Sequence, residues 1–311
     1  MNMKENLKKI LAVLLCAALA AALAGCGGEK KAQAVNLFER LNDLKTTRTA
    51  LELPQVNTPI GTFSDGKADP ALFGVWKTAD GKYSYTYAED GTATATMADS
   101  EQTKAVPFTC LSRQGYNILV EELELMNYDT EGNETPGDKQ LQYSTYLIDG
   151  DAMYTLSVED ISEDSSSYYG TLQCLFRADE AGSIDSALAA HPVDPASFFG
   201  EWEGEKGNIV IDENGLTLDG AVYALSVNDR HQLVAEKDGV STTYTFGVGY
   251  SKTAPDEGEA EWNEKSAFAL NYTGADEADK PNLLPCLTDW AAEYGWEAYL
   301  YSASFTRSET V

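Results

Sequence analysis

The sequence predicts an all-β protein made of two tandem antiparallel up-and-down β-barrels of about eight strands each, with a short N-terminal helix and a short linker helix. Three observations predict it. A motif recurs once at long range, short alternating segments fill the chain between turn residues, and helical spacing is confined to brief stretches. The 311 residues are enough for two domains, each able to bury a core. With 43% hydrophobic content the chain folds rather than forming an acidic tail. Its 50 acidic against 22 basic residues, a formal charge of −28, argue against nucleic acid as a partner, because phosphate neutralisation needs clustered Lys and Arg.

In chain order, Lys4, Lys8 and Lys9 precede an apolar run from Ile10 to Leu23, the charged and apolar regions of an exported precursor. The run falls short of the roughly 20 residues that span a bilayer as a helix. It ends in Leu23-Ala24-Gly25-Cys26, which resembles the lipobox of bacterial lipoproteins. That resemblance implies diacylation of Cys26, cleavage before it, and a protein held on the cell membrane facing the extracytoplasmic side. The plainer alternative is a secretory peptide cut near Ala24. Acyl burial contributes about 0.8 kcal/mol per methylene, so two chains anchor stably. Residues 1–25 are thus read as signal peptide and 26–68 as a lipid-anchored tether. Within it, Val35, Phe38, Leu41 and Leu44 recur at helical spacing, and 54–68 is rich in Pro and Gly and reads as linker.

The repeat sets the architecture. Asp69-Pro70-Ala71-Leu72-Phe73-Gly74-Val75-Trp76 recurs as Asp194-Pro195-Ala196-Ser197-Phe198-Phe199-Gly200-Glu201-Trp202, with one residue inserted. The period is too long for a solenoid and suits a duplicated domain. Each copy ends with an aromatic and an Arg, Phe176-Arg177 and Phe305-Thr306-Arg307. Alternation places strands near 74–78, 82–88, 92–98, 104–111, 115–125, 141–148, 152–158 and 168–177, then near 200–204, 208–212, 215–219, 221–227, 231–237, 240–250, 265–272 and 297–306. Ser183 to His191 reads as the linker helix and Leu283 to Tyr294 as a helical insertion. The domains are therefore 69–180 and 194–311, joined by 181–193.

Gly74-x-Trp76 and Gly200-x-Trp202 on the first strand, with Arg177 and Arg307 on the last, resemble the lipocalin (calycin) pattern. The resemblance implies an Arg packed over the Trp at the closed end of each barrel. The Arg lies one residue beyond Phe176 but two beyond Phe305, so the two Arg cannot share one facing relative to their Phe. Some other duplicated all-β domain is the alternative.

Side-chain facing then singles out a candidate ligand cavity. Asp90-Gly91 reads as a two-residue hairpin turn, which sets Tyr87 opposite Thr94 and Tyr85 opposite Thr96. Tyr83, Tyr85, Tyr87, Thr92, Thr94 and Thr96 then share one face. In the second copy Asn214-Gly215 gives an apolar face of Ile209, Ile211, Leu216 and Leu218. Counted from each Trp, Tyr83 and Tyr85 match Ile209 and Ile211, so phenols and hydroxyls line the first copy where aliphatics line the second. A buried phenol without a partner costs roughly 1 to 3 kcal/mol, so such a lining calls for mutual hydrogen bonds, water or a ligand.

Chemistry finds little material. The chain has two His, His191 and His231, and no His-Glu-x-x-His, Gly-x-Ser-x-Gly or phosphate-binding glycine loop. No catalytic residue, metal site or cofactor is expected. The acidic loops Asp129 to Glu134, Glu159 to Asp164 and Asp256 to Glu261 lack the spaced ligands of a calcium loop and read as solvated. Of the five Cys, Cys110, Cys174 and Cys286 remain after processing at Cys26, and Cys110 and Cys174 are read as buried thiols. The expectation is a membrane-anchored, non-enzymatic lipoprotein that binds a small amphipathic molecule. The alternative is an envelope scaffold with packed barrels and contacts on its loops, whose partner is another envelope protein.

Overall fold

The computed structural model describes residues 32–53, 58–59, 66–98, 103–113, 115–128, 134–160, 166–204, 207–218, 220–255, 263–272 and 302–307. The signal segment, Cys26, Cys286 and the Leu283 to Tyr294 stretch lie outside the described residues. After a two-residue strand at Thr58–Pro59, within the expected linker and paired with Leu141 and Gln140, come eight strands: β1 (Gly74–Thr78), β2 (Tyr83–Tyr87), β3 (Thr92–Met97), β4 (Thr103–Arg113), β5 (Tyr116–Tyr128), β6 (Glu134–Asp149), β7 (Ala152–Asp160) and β8 (Ser167–Arg177). Each pairs antiparallel with the next, and β8 returns to β1 through Trp76↔Arg177, Lys77↔Phe176 and Thr78↔Leu175, closing an eight-stranded barrel.

The first repeat motif builds the closed end. The Asp69 side chain caps a short 3-10 turn by accepting from the Ala71 N–H, and Pro70 stands first in that turn, where its missing N–H costs nothing. The turn carries the chain under the barrel and leaves the Leu72 carbonyl free, and Trp76 Nε1 donates to it at 2.7 Å. Arg177 lies 4.1 Å over the Trp76 ring and donates to the carbonyls of Phe73 and Ala71, both at 2.6 Å. Gly74 has φ 118°, and a Cβ there would approach Arg177 Nη1 at 3.1 Å, so the motif needs glycine on both counts.

The remaining strands lie outside this barrel: β9 (Gly200–Gly204), β10 (Gly207–Asp212), β11 (Gly215–Leu218), β12 (Ala221–Val227), β13 (Leu233–Lys237), β14 (Val240–Thr253), β15 (Asn263–Tyr272) and β16 (Ser302–Arg307). They too pair antiparallel in consecutive order, and β16 also pairs with β9 through Trp202↔Arg307. The second motif repeats the first almost bond for bond. Asp194 caps at Ala196, Trp202 Nε1 donates to the Phe198 carbonyl at 2.7 Å, and Arg307 lies 4.6 Å over Trp202 while donating to the Ser197 carbonyl. Both Arg thus stack on their Trp, and Phe176 faces away from Arg177 towards the second half.

The two halves are one continuous structure. The N-terminal part of β8 leaves β1 and pairs with β14, from Leu172↔Val248 to Ser167↔Thr253. The outward faces of β7 and β8, including Tyr154, Leu156, Leu172 and Phe176, join the core of the second half. Helix α1 (Leu37–Ala50), capped by Asn36, touches both halves: Arg48 Nη1 donates to the Tyr143 carbonyl on β6, Lys45 pairs with Glu264 on β15, and the Phe38 ring lies 5.3 Å from that of Trp202. The linker helix α2 (Asp185–Ala190) buries Ala187 and Leu188.

Cys110 and Cys174 are both free thiols, as expected; Cys110 faces the barrel interior and Cys174 the opposite way. His231, expected on a strand, sits instead in the turn before β13 with φ 53°.

Arg177→Ala removes two charge-assisted hydrogen bonds and leaves two carbonyls at the closed end without their donor. The expected loss of stability is about 2 to 4 kcal/mol in chemical denaturation, with Arg177→Lys recovering only part of it because an ammonium cannot reach both carbonyls while covering the ring.

Candidate functional site

The site begins with the turn that joins β2 to β3. Gly91 N–H donates to the Ala88 carbonyl and Ala88 N–H to the Thr92 carbonyl, with Gly91 at φ 83°. This is a three-residue loop closing in a glycine bulge, not the two-residue turn that Asp90-Gly91 suggests. One extra loop residue flips every side chain of β3. Tyr87 pairs with Ala93, Tyr85 with Ala95 and Tyr83 with Met97. Thr92, Thr94 and Thr96 therefore share the face of Ser84 and Thr86, correcting the expectation that they sit with the tyrosines.

The correction also moves the match between copies. Trp76 pairs with Tyr85 and Gly74 with Tyr87, whereas Trp202 pairs with Ile209 and Gly200 with Ile211. Tyr85 and Tyr87, not Tyr83 and Tyr85, are the counterparts of the two Ile. The turn after β1 is longer by an even number of residues, so the inward facing survives the shift. Across the next ladder Ile211 pairs with Leu216 and Ile209 with Leu218, so Ala93 and Ala95 stand where the second half has leucines.

Alanine in place of leucine leaves space. Tyr87 is buried at the closed end, its ring 5.2 Å from Phe108 in an edge contact, above Trp76, Leu72 and Met153. Beyond that layer lies a cavity of about 620 Å³. Tyr83, Tyr85, Ala95 and Val106 form one side of it inside the barrel; Glu121, Gln142 and Gln173 form the other. Of the expected threonines, Thr94 borders the cavity; Tyr87 lies beneath it. The equivalent region of the second half is filled: Trp202, Ile209, Leu216 and Phe268 are fully buried and Ile211 and Leu218 nearly so.

The cavity extends through the barrel wall. On one edge of β8, Leu175–Arg177 pairs with β1 and Ser167–Leu172 with β14, which leaves Gln173 and Cys174 paired on that edge with neither. Gln173 faces the interior and Cys174 the exterior, and both line the cavity, as do Phe176, His231, Phe246 and Val248 between the halves. His231 Nε2 lies 3.2 Å from the Leu188 carbonyl and its ring 4.9 Å from Phe176; burial lowers its pKa. Its hydrogen-bond partner is a carbonyl rather than an acid, so the residues present here do not form an acid–base pair. Burial also raises the Cys174 thiol to about 12, which keeps it a thiol.

The polar groups have distinct states. The Tyr85 hydroxyl accepts from Gln173 Nε2 at 2.7 Å, and burial raises its pKa. Glu121 lies between Phe108 and Gln142 across its two ladders. Desolvation raises its carboxyl to about 7, and among the described residues it has no hydrogen-bond or ion-pair partner. Alternation along Leu119, Glu121 and Leu123 does not announce an interior acid, because Ile118 and Val120 on the opposite face of β5 are equally buried, against Leu51 and Leu53. Comparison of the chain with protein-family models, with curated proteins and with solved structures returns no match.

A carboxyl raised in the native state holds its proton more tightly there than in the unfolded chain, so its ionisation erodes stability as pH climbs from the ordinary carboxylate range through about 7. Glu121→Gln is expected to raise the Tm at about pH 8 and to leave it nearly unchanged at about pH 5. Thermal unfolding at the two pH values checks this; an equal shift at both contradicts it.

Proposed function

We propose that the chain is a lipid-anchored extracytoplasmic protein of two tandem lipocalin-like barrels, the first of which binds a small amphipathic molecule and neither of which performs catalysis. The observation that carries the binding reading is the cavity of about 620 Å³ that runs from inside the first barrel to the space between the halves, with aromatic and aliphatic walls and a few convergent polar groups. Its size is that of a small-molecule site, and the matching region of the second half supplies an internal contrast, closed by leucines where the first half has alanines. The lipocalin-like reading is supported by the paired Trp and Arg contacts in both halves, and a second barrel by the return of β16 to β9. The anchor is supported by Leu23-Ala24-Gly25-Cys26 behind a charged and then apolar leader. The large negative charge opposes flat docking on anionic headgroups and suits a body standing off the membrane on the residues between Cys26 and α1, since α1 itself is packed into the body.

The scaffold reading draws on the second half alone, where Ile209, Ile211, Leu216 and Leu218 are buried at the positions that match the first half's cavity lining. It would extend to the whole chain if the first cavity held nothing.

Native mass spectrometry of the soluble form from residue 27 onward decides between them. A small-molecule adduct is expected on the wild-type chain and is expected to be lost in Ala95→Leu, which copies Leu218 and leaves the fold intact because Ala95 faces open space. Bare protein in both cases favours the scaffold. For the anchor, metabolic labelling with an alkynyl fatty acid is expected to mark the full chain in a bacterial host, and Cys26→Ser to abolish the label and leave the leader uncleaved.

A further inference from the structure

Resting on the reading of the cavity as a binding site, we propose that its ligand is an amphipathic cation, an organic amine whose ammonium pairs with Glu121 while its apolar body lies against Tyr85, Ala95 and Val106.

The inference starts from an unbalanced charge. Glu121 is the one carboxylate that lines the cavity from inside the barrel among the described residues. Its neighbours across β4 and β6 are Phe108 and Gln142, and the titratable groups that bear on it, Tyr85, Tyr87 and Cys110, are all held neutral by burial. The other ionic side chains lining the cavity, and His231, are committed elsewhere. Arg230 pairs with Asp185 at 2.7 Å, Asp80 accepts from Thr78 Oγ1 at 2.6 Å and from the Lys82 N–H, and His231 is bound to the Leu188 carbonyl. Among the described residues no protein cation serves Glu121, and an interior carboxylate without one is costly.

An ammonium entering the cavity supplies that cation. It returns Glu121 to its ionised form and finds further acceptors in the amide oxygens of Gln142 and of Gln173, whose Nε2 is already donated to Tyr85. The faces of Tyr83 and Tyr85 offer a second attraction for a cation. An anionic amphiphile meets the opposite: it enters a chain of charge −28 and must sit beside Glu121 or keep it protonated. A neutral ligand leaves the carboxyl as it is and gains nothing from ionising it.

Fluorescence titration of the chain from residue 27, which retains every described element, tests this with three probes: dansylcadaverine, its N-acetyl derivative, and dansyl-undecanoate. These share an aromatic body and end in a cation, a neutral amide and an anion. At about pH 8 the amine is expected to bind at least tenfold more tightly than the acetylated probe and the anion more weakly still. The amine's advantage is expected to shrink as pH falls to about 5.5, where Glu121 takes up its proton, and to vanish at every pH in Glu121→Gln. Glu121→Asp, shorter by one methylene, is expected to keep part of it. Equal binding of the three probes, lost in Ala95→Leu, would retain the cavity as a binding site and overturn the cation. Preference for the anion, an amine preference unchanged in Glu121→Gln, or no binding of any probe overturns the cation as well; native mass spectrometry then speaks separately to the cavity.

Discussion

Closure of the first barrel depends on a very short seam. Only three residue pairs join β1 to β8, and Arg177 sits at the first of them, stacked on Trp76 and tied to two carbonyls of the incoming turn. Three ladder pairs alone are a weak closure. The buried indole, the charge-assisted hydrogen bonds and the capped 3-10 turn make the pairing a firm latch. Because the latch holds one end, β1 can stop at Thr78, and the rest of the β8 edge is released to pair with β14. The gap in the wall, the join between the halves and the sideways extension of the cavity all follow from that early ending.

The same motif is used in the second half with a different filling. Trp202 and Arg307 repeat the stack, yet the residues above Trp202 are Ile209, Leu218 and Phe268, and Phe38 of α1 and Phe198 complete an aromatic cluster around it. Dry packing there gives α1 and the outward faces of β7 and β8 a firm surface to bury against. A cavity in one half is tolerable because the other half, continuous with it through β8 and β14, carries much of the shared core.

Much of this was legible in the residues. Strand positions follow from alternation, the repeat locates both tryptophans, and the spacing of Phe38, Leu41 and Leu44 marks α1. What escaped has physical causes. Asp90-Gly91 fits a two-residue turn and a glycine bulge equally well, and the choice between them decides which face Thr94 and Ala95 take. Glu121 escaped because β5 is covered on both faces, which erases the polar and apolar contrast that alternation relies on. The pairing of β8 with β14 is a contact between halves, and no local pattern encodes it; the small residues Gly170 and Gly249 that permit the close approach read as ordinary strand glycines until the partner strand is in view.

The central claim is that equivalent positions in the two halves face an open space in one and a packed core in the other. Single cysteines placed at Ala95 and Leu218 measure it directly, through their rates of modification by a small methanethiosulfonate reagent under native conditions. The account predicts that Ala95→Cys reacts at least about tenfold faster than Leu218→Cys, and that a ligand or probe in the first cavity slows only the former. Equal protection of the two thiols, or faster reaction at position 218, would contradict it.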